Sequence, residues 1–195
     1  MSEVPEGKPG LLPRVRRAEM AAQALLACYG DEVPGTANRI ARFLEEFHQE
    51  VDLQELMKTF DYEEPKNGGQ PMVAISRIPL GGLCEHHHCP FFGTADIGYI
   101  PSRKVLGLSK FARLTKAAGH SKPTIQERLT NEIADAINKA LDPKGVIVVL
   151  RAQHTCMTVR GIAAPGVVTV TSAVRGNFVH VPAARQEFFS LLKEG

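Results

Sequence analysis

The chain has 195 residues, 44% of them hydrophobic and 23% charged, with 23 Lys and Arg against 21 Asp and Glu for a formal net charge of +2. A chain of this length and balance buries a core of its own, so folding depends on neither a disulfide framework nor a structural metal. A total so near zero, with no like-charge block longer than the Arg16-Arg17 pair, does not by itself argue for a nucleic-acid surface, so any basic site must be local, and no apolar run approaches the roughly 18 residues of a membrane span.

Residues 1–10 carry Pro5, Gly7, Pro9 and Gly10 among charges and are expected to form a disordered tail. The stretch from Met20 to Cys28 follows Arg16-Arg17 like a secretory signal. Glu19 and Gln23 interrupt it and no small-residue cleavage pattern follows, so it is expected to be an amphipathic helix in a cytoplasmic protein. Helices are expected over residues 15–29 and 36–60, the second with Ile40, Leu44, Phe47 and Val51 as its stripe and Thr36 as its N-cap. Pro65, Asn67, Gly68 and Gly69 then mark a turn. The expected organisation is therefore a tail (1–10), an N-terminal helical region (11–65) and an α+β domain (66–195).

Past that turn the pattern changes to strands, at 72–80 and 91–101. Helices follow at 108–118 and 124–141, the longer one carrying Leu129, Ile133, Ile137 and Leu141 every fourth residue. Residues 146–153 are almost continuously apolar, as in a strand buried on both faces, whereas 167–174 alternate Val168 and Val170 with Thr169 and Thr171. A last helix begins after Pro182. This order fits an antiparallel α+β domain.

Chemistry concentrates in Cys84-Glu85-His86-His87-His88-Cys89. Thiolates and imidazoles are the ligands a borderline-soft ion such as zinc selects, and a reducing compartment favours thiolates over disulfides for these cysteines. Cys28, in its apolar stretch, reads as a small buried hydrophobe. Cys84 and His87 are three apart, so one tight turn aims both at a single ion, and Cys156 in His154-Thr155-Cys156 closes the site from the end of a buried strand. Two thiolates and one imidazole leave a fourth position for water, the layout of a catalytic zinc. The rival arrangement is a closed structural site of Cys84, Cys89, Cys156 and one histidine.

Four motifs, Cys84-Glu85-His86-His87, Gly107-Leu108-Ser109-Lys110-Phe111-Ala112-Arg113, Gln126-Glu127-Arg128-Leu129-Thr130 and His154-Thr155-Cys156-Met157-Thr158-Val159-Arg160-Gly161, together resemble the GTP cyclohydrolase I family in the family's order. The resemblance spans about residues 36–178. It implies a tunnelling fold, an antiparallel sheet with helices packed on one face, preceded here by the N-terminal helical pair. It also implies a homodecamer with active sites between subunits, no membrane or nucleic-acid partner, and hydrolysis of GTP to 7,8-dihydroneopterin triphosphate and formate.

The resemblance assigns Cys84, His87 and Cys156 to zinc. It makes His154 the group that protonates guanine N7 and His86 its assistant at the ribose, roles that suit a side chain titrating near neutrality. It makes Glu127, with Gln126 beside it, the grip on the guanine edge, since a carboxylate accepts two parallel N–H bonds. Thr124-Ile125-Gln126-Glu127 equally fits a capping box, in which Glu127 only bonds back to the helix start. Ser109, Lys110, Arg113 and Arg160 match triphosphate positions, as does Arg39 in the N-terminal region. His88-Cys89 stands where the family usually has an apolar pair, and Thr36-Ala37-Asn38-Arg39 lacks the usual proline after Thr.

Overall fold

The computed structural model describes residues 12–30, 33–66, 69 and 71–194, so the expected tail, and Asn67 and Gly68 of the expected turn, lie outside the described residues. The chain divides into two compact units, one ending at Gln49 and the other beginning at Glu50.

The first unit is a helical pair, α1 (Arg14–Tyr29) and α2 (Thr36–Glu46). Gly30 closes α1 in the left-handed region, at φ 72°, where a residue without Cβ terminates a helix at no steric cost. Arg14 fastens the pair: its guanidinium donates to both carboxylate oxygens of Glu45 and, at 2.8 Å, to His48 O. Thr36 is the first helical residue rather than the N-cap, a place taken by Gly35 at φ 80°. The Thr36 hydroxyl instead accepts from Arg39 Nη2 at 2.7 Å.

The helix expected to run to residue 60 stops at Glu46. Beyond it Asp52 takes the Gln54 N–H on its carboxylate at 2.8 Å, a local bond that competes with helix, and Met57 buries itself in the core of the second unit. Residues Thr59–Asp61 then form β1, paired antiparallel with β4 (Lys104–Leu106), which sequence patterning did not anticipate. These pairings draw residues 50–65 into the second unit, ahead of the boundary expected after residue 65.

The second unit holds a four-stranded antiparallel sheet in the order β2 (Val73–Leu83), β3 (Pro90–Ile100), β5 (Gly145–His154) and β6 (Thr169–Gly176). Helices α3 (Leu108–Ser121) and α4 (Gln126–Leu141) cover one face, burying Phe111, Leu114, Leu129, Ile133 and Ile137 against Ile97, Tyr99, Val146, Val148 and Leu150. The alternate residues Ile147 and Val149 point the other way. There Phe178 of α6 (Asn177–His180) and Phe188 of α7 (Pro182–Glu194) cover them, a smaller second core. β5 is thus buried on both faces, which is why its sequence reads as an unbroken apolar run.

The class is the expected α+β, with the two long helices on one face of the sheet and the C-terminal helix added on the other. Register decides where chemistry sits: Leu83 pairs with Pro90, and Phe91 pairs with His154. The C-terminal ends of β2 and β5 and the start of β3 therefore meet at one edge of the sheet.

Candidate functional site

At that edge the backbone is held by bonds from three directions. Cys84 N–H donates to Cys89 O at 2.9 Å and His88 N–H to Cys84 O at 2.8 Å, which closes residues 84–89 into a tight turn with His88 in the left-handed region at φ 50°. Thr124, just before α4, donates to Leu83 O at 2.9 Å and accepts from Glu85 N–H at 3.2 Å, so the turn is clamped to the helix start. Arg128 on α4 adds an ion pair to Glu85 and holds that carboxyl below its ordinary range. Cys156 lies on the single turn α5 (Thr155–Thr158), fixed by Thr155 Oγ1 donating to Pro90 O at 2.7 Å.

This scaffold brings the Sγ atoms of Cys84 and Cys156 and a ring nitrogen of His154 within 4.8 Å of one another. Burial pushes the Cys156 thiol up, and the neighbouring Cys84 pushes it further. A thiol raised in this way, with a second thiol and an imidazole at the same point, makes a donor set that could hold a divalent cation, and zinc takes this mixture of sulfur and nitrogen. Cys84 is buried and Cys156 half-buried, so the ligands are shielded yet reachable.

His87 is on the same turn, three residues past Cys84, but its side chain is exposed and outside that group; its ring stands edge-on to His86, with centroids 6.2 Å apart. His86 is also exposed, its Nε2 4.0 Å from Glu85 Oε1. Cys89 is half-buried and not one of the three converging donors.

His154 is the best-held side chain of the site. Its ring stacks on Phe91, centroids 4.9 Å apart and planes 22° apart, and Nε2 lies 2.9 Å from Gln126 Oε1. Burial holds its pKa below the ordinary imidazole value, while Glu127 pulls it back up. Glu127 is exposed at the first turn of α4 and near enough to act on His154 by charge. The capping box does not form, for α4 begins after Ile125 with no side-chain cap, and Thr124 Oγ1 bonds to Ile125 O instead.

Ser109, Lys110 and Arg113 occupy the first two turns of α3, Ser109 and Arg113 exposed and Lys110 half-buried. The other end of that helix, at Gly119, lies against the Gly81 carbonyl just before the Cys84 turn. From Ser109 to Gly119 the helix rises ~15 Å. Arg160 is exposed beyond α5, and Arg39 belongs to the first unit.

The profile of the GTP cyclohydrolase I family matches residues 19–193. The chain belongs to the GTP cyclohydrolase I family. Among its relatives, the GTP cyclohydrolase 1 of Aquifex aeolicus is 47% identical over 160 residues, covering 81% of this chain and 83% of that one. Those of Hydrogenobaculum sp. and Pelotomaculum thermopropionicum are each 44% identical, the first over 82% of this chain and 84% of the relative, the second over 91% and 96%. A member of the GTP cyclohydrolase I family thus carries its densest thiol and imidazole cluster where β2, β3 and β5 converge. Sequence reasoning had not found the Phe91 stack, the Thr124 clamp or the Gln126 bond to His154, because each depends on strand register rather than on a motif.

Proposed function

We propose that this chain opens the imidazole ring of guanine in GTP by hydrolysis, releasing formate and yielding 7,8-dihydroneopterin triphosphate. The observation that carries the reading is the convergence of two thiols and an imidazole at the end of β5 in a chain of this family. Zinc, when bound, supplies a Lewis acid that makes hydroxide available near neutral pH.

Cys84 and Cys156 hold the ion, with His87 as third ligand from the turn it shares with Cys84. His154 delivers a proton to guanine N7 as the ring opens and takes one back as formate leaves. Its burial keeps it largely neutral, and Glu127 keeps the protonated form accessible. His86 assists at the ribose. Glu127 accepts the guanine N1–H and 2-amino hydrogens, a role its exposure and its freedom from the capping box support.

Ser109, Lys110, Arg113, Arg160 and Arg39 receive the triphosphate. Lys110 and Arg113 lie three apart on one helix face near its N-terminus, where anions are favoured. The ~15 Å of α3 between these residues and its Gly119 end supports a composite site, in which one subunit supplies the metal and another the phosphate cradle. A homo-oligomer, a decamer in this reading, and a cytoplasmic location complete the proposal.

The test is incubation of purified protein with GTP, following formate and, after oxidation, a fluorescent pterin. One formate per GTP consumed is expected. Accumulation of a formyl-pyrimidine without formate would show an enzyme that stops after the first hydrolysis, and no turnover with zinc present would leave a metal-bound interaction module.

A further inference from the structure

Gln126 is the first residue of α4, only 2% exposed, and it carries a primary amide into the core. A buried amide must satisfy its donors and its acceptor, and here the partners leave one orientation. Nε2 lies 3.2 Å from Leu150 O, 3.1 Å from Thr169 O and 3.1 Å from Thr171 Oγ1. Two of these are backbone carbonyls, which only accept, so the NH2 group faces them. Oε1 then faces His154.

The hydroxyls agree with this direction. Thr130 Oγ1 donates to Gln126 O at 2.6 Å, so the 2.7 Å contact between Thr130 and Thr171 runs from the Thr171 hydroxyl, whose lone pairs remain to receive the Gln126 amide. At the far end, Oε1 accepts, so the proton in its 2.9 Å bond to His154 Nε2 belongs to the histidine.

We infer that Gln126 is a positioning residue: through its bond to Nε2, anchored on the β5 and β6 carbonyls, it fixes the ring and tautomer of His154 and leaves Nδ1 as the nitrogen that meets the nucleotide. Its amide is engaged inside the chain at both ends, so it acts through His154 and not on guanine. The inference rests on the proposed role of His154 as the proton-transferring group. Sequence-level resemblance had placed Gln126 among the guanine-binding residues, a role its burial does not favour.

The test is a double-mutant cycle on the zinc-loaded full chain, reading kcat and KM for formate release from GTP. Gln126→Met lowers kcat about ten- to a hundredfold, the usual cost of losing the partner that orients an active-site histidine, with KM within about twofold. In a His154→Ala background the same substitution changes kcat by no more than about twofold, because its target is gone. Should Gln126→Met fail to fold, Gln126→Glu serves in its place. Its protonated carboxyl can donate to Leu150 O and still accept from His154, and it is expected to retain more than about a tenth of kcat at unchanged KM. A tenfold rise in KM with kcat preserved, for whichever variant folds, would make Gln126 a nucleotide ligand, and an equal loss in the His154→Ala background would make it independent of His154. Either result overturns the inference. Unchanged formate release in His154→Ala alone would instead overturn the role of His154.

Discussion

Burial and the neighbouring Cys84 make Cys156 harder to ionise, and a bound cation would reverse that effect by favouring its thiolate. Cys156→Ala should therefore lose zinc and turnover together. On the proposed ligand set His87→Ala should lose zinc as well, although the His87 side chain is exposed and outside the converging group. His154→Ala should keep zinc and lose turnover by about a hundredfold or more, the range for removal of a general acid–base. Metal analysis of the purified variants checks this, and zinc loss in His154→Ala with retention in His87→Ala would make the converging triad itself the ligand set. Glu127→Gln should cut kcat/KM about ten- to a hundredfold, or about 1.5–3 kcal/mol, because it removes a charged acceptor from two N–H bonds. A steady-state comparison of GTP with inosine triphosphate, which lacks the 2-amino group, locates the loss, since the variant should discriminate less between the two.

Among the elements, those with strong periodicity were legible from sequence. The four-residue stripe of Leu129, Ile133, Ile137 and Leu141 became the buried face of α4, and the apolar run of β5 became the central strand. The end of α2 at Glu46 was not legible, because Val51 continues the helical spacing of Ile40, Leu44 and Phe47 while the local bond of Asp52 and the pairing of β1 with β4 carry the chain elsewhere. The short turns α5 and α6 have too few residues to show a period. Cys84 and Cys156 were legible from residue type as candidate ligands that the fold brings together, whereas the company His154 keeps depends on the Phe91 register, which no single stretch of sequence states. Packing of α3 on β2 turns on Gly119, where an added Cβ would strike the Gly81 carbonyl. Backbone on backbone has little room to yield, so Gly119→Ala should destabilise by about 1–3 kcal/mol and lower Tm by several degrees. Thermal unfolding reads it out, and an unchanged Tm would mean that α3 shifts freely on the sheet.

At the scale of the whole molecule, the proposed site is shared between copies, with the start of α3 receiving phosphate in one and the thiol pair lying in another. A chain carrying Cys156→Ala and one carrying Lys110→Ala with Arg113→Ala should each be nearly inactive alone. Mixed after dissociation and reassembly, they should recover activity, since some sites then combine an intact metal half with an intact phosphate half. Failure to recover would confine each site to one chain. The claim beneath all of this is that opening of the guanine ring requires a cation that Cys84 and Cys156 would hold. Its most direct test is formate release from GTP measured against zinc per chain during chelation and re-addition. Release should fall in proportion as zinc falls from one per chain toward none, and return when zinc is restored. Full formate release from metal-free protein would contradict it.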